Sequence, residues 1–351
     1  MKKKHLGIGL AVVFFAAALV YLVYRWRSAG FDWNQFLAAL RNVSWSWLAL
    51  SIALILASYY GRVLRWEVML RPIRKDASQW RIFTATAIGF TAVVLFGRAG
   101  EPVRPYLIAK NEKVSFSSQI AAWIVERILD LLMVLLIFGI ALTQVSSSTI
   151  QPGPRIRVVL EMGGYIAGLT GAACLALLIG LRQFRGRVQQ RLLEGLSFLP
   201  ERFLGQIRKV LSSFEQGMQS TRSFGFTLLL IFYTVVEWLV IAASFFCLFR
   251  AFPATRAFGI TDVVIVLGFV AFGSAVQIPG VGGGMQIAAV LVLTEFFGIG
   301  FSVASGIAIV LWIISFVSIV PWGLILAFHE GIKWRSLKDL GSAEPDEGKA
   351  T

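Results

Sequence analysis

Long apolar runs alternate with short polar interruptions along this chain, and run length carries most of the reading. Stretches at 6–24, 46–66, 117–145, 159–181, 224–249 and 302–328 reach or approach the span of an α-helix through a bilayer, roughly 20 apolar residues. Two further runs, 82–97 and 263–278, are short. The first leads into "GRAGEPVRP" and the second ends in "QIPGVGGGMQ", ahead of another short run at 287–298. Between the first two spans, "FDWNQFLAALRNVSWSW" sets Phe31, Phe36, Leu37 and Leu40 on one side of a helix with three Trp around it, a pattern for the membrane interface. Residues 182–222 are the longest polar segment. Their leucines and phenylalanines recur at helical spacing, broken at Pro200, which predicts two amphipathic helices on the membrane surface.

Basic residues then orient the spans. Lys2–Lys4, the segment 67–81 with Arg71, Arg74 and Lys75, the segment 182–222, and Lys333, Arg335 and Lys338 all read as cytoplasmic. The weakly charged loop 146–158 reads as external. Residues 81 and 116 must then lie on one side, so the stretch between them enters the membrane and returns. The same parity applies to 263–298 from the opposite face. The prediction is an all-α polytopic membrane protein of about six full spans plus two re-entrant or broken helical hairpins, arranged as an inverted repeat. Residues 6–145 form the first repeat and 159–328 the second, the latter carrying the insert 182–222. Together 1–328 make one transmembrane domain, followed by a short cytoplasmic tail, 329–351. Short, Gly- and Pro-broken segments at matching places in two inverted halves are where transporters of this design bind substrate.

Composition narrows the classes. The chain is 57% hydrophobic and 15% charged, too apolar for a soluble domain of 351 residues. Its net charge of +14 is concentrated between apolar runs, so it reads as topology signal and lipid-headgroup contact rather than nucleic-acid binding. Cys174 and Cys247 sit inside apolar runs, and His5 and His329 lie at opposite ends of the chain. No metal site, cofactor or catalytic triad is expected from them. The basic N-terminus leads into an apolar run too long for a signal peptide, so it is expected to stay as a first span.

Fixed charges inside apolar sequence are the candidate chemistry. Arg98, Glu101 and Arg104 are spaced i, i+3, i+6; on one helix they would line one side and keep a net positive charge suited to a lipid phosphate. The alternative is that they are loop charges that set topology. "WIVERILD" places Glu126, Arg127 and Asp130 in a span, where ionisable groups face a cavity or pair internally. Gly282, Gly283 and Gly284, with Gln286 at the following helix start, offer either a backbone anion site or a tight turn. Glu237 and Glu295 lie within apolar runs as structural acids or proton carriers.

"GRAGEPVRPYLIA", then "VERILD", then "IPGVGGGMQIAAVLVLTEFFGI" resemble the lysylphosphatidylglycerol synthase transmembrane family over about residues 10–330. The family includes the flippase half of the bacterial multiple peptide resistance factor and stand-alone proteins. The resemblance implies a two-hairpin membrane fold that moves lipids, especially aminoacylated phosphatidylglycerol, between leaflets. The expected substrate contacts are the residues read above: Arg98, Glu101, Arg104, Glu126, Arg127, Asp130, Gly282, Gly283, Gly284 and Gln286. The resemblance also implies a stand-alone member without the aminoacyl-transferase domain, hence no enzyme. The family pattern has a glutamate where this chain has Gln286. The expected function is a flippase for a phosphate-bearing phospho- or glycolipid in the plasma membrane, the inner membrane of a bacterium, with both termini cytoplasmic. Its expected partners are anionic membrane lipids and a possible lipid-modifying enzyme. The alternative is an accessory subunit that docks a glycosyl- or phospho-transferase through 182–222.

Overall fold

The computed structural model describes residues 31–147, 163–174, 224–274, 277–278 and 282–331, with isolated positions between 174 and 213. The expected first span, the amphipathic insert 182–222 apart from isolated positions, and the tail beyond 331 lie outside the described residues. Among those residues the regular structure is helical, save a two-residue ladder that pairs Gln277 with Gly283 and Ile278 with Gly282.

Helix α1 spans Trp33–Arg41 and starts where Asp32 accepts the N–H groups of Asn34 and Gln35. It is more than an interfacial helix. The Asp32 N–H donates to Ser302 Oγ at 2.8 Å, and Phe31 meets Phe301 edge-on at 6.1 Å, so the element is pinned to the last span. The first half continues with α2 (Trp45–Leu70), α3 (Gln79–Phe96), a 3₁₀ turn (Gly97–Gly100), α4 (Val103–Glu112) and α5 (Phe116–Ser147). After helical residues 163–174, the second half holds α6 (Phe224–Ala251), α7 (Ile260–Gly273), α8 (Gly284–Glu295), α9 (Phe301–Trp312), a π-helical turn (Ile313–Val317) and α10 (Val320–His329).

Five helices are long and apolar enough to cross a membrane: Trp45–Leu70, Gln79–Gly100, Phe116–Val145, Gly225–Ala251 and Phe301–His329. The second of these corrects the reading of 82–97 as a short run. Ser78 accepts the Arg81 N–H and starts the helix a turn earlier, and the 3₁₀ turn extends it to Gly100. The polar residues of that added turn hid it from a search for apolar runs. Ile260–Gly273 and Gly284–Glu295 are the short apolar pair that the sequence predicts.

Helix α4 folds back along α3. A Cβ on Gly89 would stand 2.5 Å from Arg104 Cβ, so the missing side chain is what lets the two backbones approach. At the base of the hairpin, Glu112 lies beside the start of α3. Its carboxylate accepts the Ser78 N–H at 3.3 Å and faces Arg74 Nε at 3.0 Å, while Arg74 Nη1 donates to the Glu112 carbonyl at 2.7 Å. The unit therefore ends at the level where it began. Because Glu112 is almost fully buried, Glu112→Ala is expected to lower stability by about 1–3 kcal/mol. Thermal unfolding of the purified variant measures this, and an unchanged midpoint would show that the base is not held there.

The halves pack in an exchange pattern. Helix α2 packs most extensively on its counterpart α6; α5 of the first half packs on α7 of the second, and α10 of the second packs on α3 of the first. Likewise α4 lies on α5 as α8 lies on α9. Along the α2–α6 seam, Ser44 donates to Ala251, Ser51 and Ser244 each donate to the other's carbonyl at 2.9 Å, and Arg65 donates to Thr234. Numbers rise on one helix as they fall on the other, so the two counterparts run antiparallel, as an inverted repeat requires. The tip of the first hairpin, Gly97–Gly100, meets residues 277–278 of the second.

Candidate functional site

The densest chemistry among the described residues is a buried cluster of charges drawn from four helices. Helix α2 contributes Arg62 and Arg65, three residues apart and so on one side of the helix. Because α2 runs on to Leu70, with Trp66, Val68, Met69 and Leu70 all buried, Arg65 stands roughly 8 Å of helix rise inside the end of the span. Its side chain has no exposure. Nη2 donates to Glu126 Oε1 at 2.6 Å. Nη1 donates to Asp130 Oδ1 at 2.6 Å and to Thr234 Oγ1 at 3.1 Å.

Helix α5 carries both acceptors on one face, Glu126 and Asp130, one turn apart. Arg127 lies beside Asp130, at 3.0 Å. Arg104, on α4, closes the cluster from the hairpin. Its Nη1 reaches both oxygens of Glu126 at 3.0 and 2.9 Å, and its Nη2 donates to the Arg62 carbonyl at 3.3 Å. The guanidinium lies 4.1 Å from the centre of the Trp66 ring, a contact that stabilises a desolvated cation. Trp66 is held in turn by Gln119, whose Oε1 accepts the indole N–H at 3.0 Å. From α6, Glu237 faces Arg62 Nη2 at 2.8 Å and Arg65 Nη1 at 3.5 Å.

Four guanidinium groups thus meet three carboxylates, leaving one net positive charge. Buried ion pairs are weak evidence for stability, because desolvation offsets most of the Coulomb gain. Ionisable side chains inside a membrane mark function more often than structure. Access to the cluster is graded: Arg127 is 39% exposed and Arg62 15%, whereas Arg65, Glu126 and Glu237 are closed off. The Nε atoms of Arg62, Arg65, Arg104 and Arg127 are buried with no hydrogen-bond acceptor, so cationic donor capacity remains unused. The described residues hold no group of His, Cys, Asp and Glu arranged for a metal ion.

The structure assembles only part of the expected site. Arg104, Glu126, Arg127 and Asp130 come together. Arg98, Glu101 and Arg104 do not line one helix, because Gly97–Gly100 is a 3₁₀ turn and α4 begins at Val103. Arg98 is exposed on the hairpin tip while Arg104 is buried, and Glu126 rather than Glu101 is the acid that Arg104 pairs with. Gly283, at φ 112°, is the turn for which glycine is required. Gln286 caps α8, its Oε1 accepting the Gly283 N–H at 2.7 Å. Gly282 pairs with Ile278 in the ladder, and Gly284 opens α8, against Gly273 of α7. These four belong to the second hairpin turn, outside the charge cluster. Glu295 closes α8, half-buried, whereas Glu237 joins the cluster. Arg62 and Arg65 escaped the sequence reading. The signal was present as "GRVLR", two arginines at i, i+3 followed by five residues that keep the helical apolar pattern.

Residues 7–323 match the family model described as lysylphosphatidylglycerol synthase TM region. No curated protein and no solved structure matches the chain.

Proposed function

Since the chain belongs to the lysylphosphatidylglycerol synthase TM region family, a family of membrane proteins with lipid-related function, we propose that it moves a phosphate-bearing lipid between the leaflets of the plasma membrane. The lipid is a phospho- or glycolipid, and the protein acts as a transporter rather than an enzyme. One observation carries the reading: a buried cluster with one net positive charge, built from both halves and from the first hairpin, with Arg62 and Arg127 at its accessible rim. Guanidinium groups bind phosphate oxygens through paired donors.

In this arrangement both hairpins are re-entrant, α3–α4 from the cytoplasm and α7–α8 from outside, and both termini are cytoplasmic. Single cysteines placed at 74 and 256 test this, the first labelling only from inside and the second only from outside. Labelling of position 74 from outside would overturn the topology.

The function itself is tested by reconstituting the purified chain in vesicles with a fluorescent anionic phospholipid and measuring its appearance in the opposite leaflet. Movement by the chain alone supports a transporter; movement only with an added lipid-modifying enzyme would instead make it an accessory subunit. Arg62→Ala is expected to slow the movement on the order of ten- to a hundredfold, the loss of one or two charge-assisted hydrogen bonds at about 1.5–3 kcal/mol in total. Arg62→Lys should recover little of it, since an ammonium lacks the planar fork. Parental rates in both variants would remove Arg62 from the path.

A further inference from the structure

Glu237 differs from the other two carboxylates in how it is held. Glu126 accepts three hydrogen bonds, from Arg65 and Arg104. Asp130 accepts two from Arg65 and faces Arg127. Glu237 has no side-chain exposure, yet neither of its oxygens accepts a well-formed hydrogen bond. Its close contact is a single one, to Arg62 at 2.8 Å, because Arg65 at 3.5 Å already spends its donors on Glu126, Asp130 and Thr234. Arg62 is also the partner nearest the outside. Its guanidinium lies against the rings of Tyr59 and Phe90, 5.8 and 4.9 Å from their centres, which fixes its orientation while one edge stays accessible.

We propose that Glu237 is the resident counter-ion of Arg62 and takes up one proton when an anionic phosphate headgroup engages Arg62, so that lipid binding is coupled to proton binding. This rests on the lipid-transport reading above. A headgroup phosphate at the rim brings a second anion beside a fully buried carboxylate that accepts no well-formed hydrogen bond and is held closely by Arg62 alone, with Arg65 at 3.5 Å committed to Glu126, Asp130 and Thr234. Two anions a few ångströms apart, sharing one guanidinium, do not both stay ionised in such a place. The groups that face Glu237 are Tyr59, Arg62 and Arg65 on α2 and Glu126 and Asp130 on α5, while Arg104 on α4 reaches Glu126 instead. The two neighbouring acids add to the repulsion, and both keep hydrogen bonds from Arg65, which is closed off from the incoming phosphate. Glu237 is therefore the acid that yields. The balance is simple: the carboxylate gains one proton from water, and the phosphodiester keeps its single charge.

The test uses the purified full chain in detergent and two probes, short-chain phosphatidylglycerol and inorganic phosphate, with uncharged diacylglycerol as control. In weakly buffered solution, phosphatidylglycerol should draw about one proton per bound lipid, reported by a pH dye. Its Kd should rise about tenfold for each unit of rising pH, as one linked proton requires. The lipid phosphodiester does not titrate in this range and contributes nothing to the slope. In Glu237→Gln, which keeps the shape without the charge, the lipid should bind with no proton uptake and a Kd flat to within twofold across pH. Thermal unfolding verifies that this variant is folded; if it is not, Glu237→Asp substitutes, with a displaced pH profile expected. Lipid binding by the parental chain without proton uptake would overturn the coupling and leave the transport reading standing. Binding of inorganic phosphate but not of the lipid would overturn the headgroup as ligand. No binding of either anion by folded protein would overturn both readings.

Discussion

Glu126→Ala is expected to be the most damaging single change in the cluster, with a loss of about 3–5 kcal/mol, the range for removing one partner of a buried charge pair. Glu126 is the shared acceptor of Arg65 at 2.6 Å and Arg104 at 2.9 Å. Without it Arg65 keeps Asp130, but Arg104 keeps no carboxylate partner, only the Arg62 carbonyl and the faces of Trp66 and Phe90. The hairpin then loses its ionic hold on α5. Recovery of monodisperse protein and its thermal midpoint measure the loss, and a midpoint near the parental one would show that the cluster does not hold the helices. Glu126→Gln, which retains an acceptor oxygen, should be milder. Adding Arg104→Met to Glu126→Ala should recover part of the stability, since the orphaned cation is then gone. Exchanging Glu126 with Arg127 should recover nothing. Those two are 3.7 Å apart and their main partners lie elsewhere, so the exchange would set a guanidinium against Arg65 and Arg104.

The second large effect is expected at Gly100, the last residue of the 3₁₀ turn at the hairpin tip. A Cβ there would lie 2.3 Å from the Ala92 carbonyl carbon, 2.4 Å from its oxygen and 2.6 Å from the Val93 nitrogen. All three are backbone atoms near the end of α3, and no rotamer change relieves them. Gly100→Ala must therefore open the hairpin, at a cost of about 3 kcal/mol, the upper end for overpacking. Opening moves the tip away from residues 277–278 of the second hairpin. A midpoint shift as large as that of Glu126→Ala, with loss of lipid movement in the fraction that stays folded, is the expected outcome. A fully active, stable variant would show that the tip tolerates displacement.

Much of this architecture was legible because bilayer crossing imposes length and hydropathy together. The spans α2, α5, α6 and α9–α10 sit within a few residues of their apolar runs, and charge parity called for a reversal of the chain between 81 and 116, where α4 folds back along α3. The helix-break-helix of the second half was legible in the same way. What stayed hidden depended on contacts between distant segments. Arg62 and Arg65 fall near the end of the apolar run 46–66, where charges are common, and nothing in the run singles them out. Only the burial of Trp66 to Leu70 beneath the first hairpin draws that end of the helix into the interior. Glu237 was visible as an acid in a span, but its partners lie on α2, some 170 residues earlier in the chain. Arg98, Glu101 and Arg104 misled in the opposite direction. Their spacing fits a helix, and the glycine at 97, with φ 64°, breaks the helix before they begin.

The reciprocal serines of α2 and α6 lie part-way along the seam between the counterpart helices, and the chemistry on either side of them is not the same. Toward Leu70 the seam carries Arg62, Arg65, Thr234 and Glu237. Toward Trp45 it carries Leu48, Phe245, Leu248 and Phe249. A fold that looks alike from above and below is thereby given a front and a back. On the lipid-transport reading, a headgroup entering from one leaflet would meet a cation early in its path, whereas one entering from the other would first pass an apolar wall. The two leaflets would then saturate the same molecule at different lipid concentrations, and a copy inserted upside down would show the opposite preference without a single altered contact.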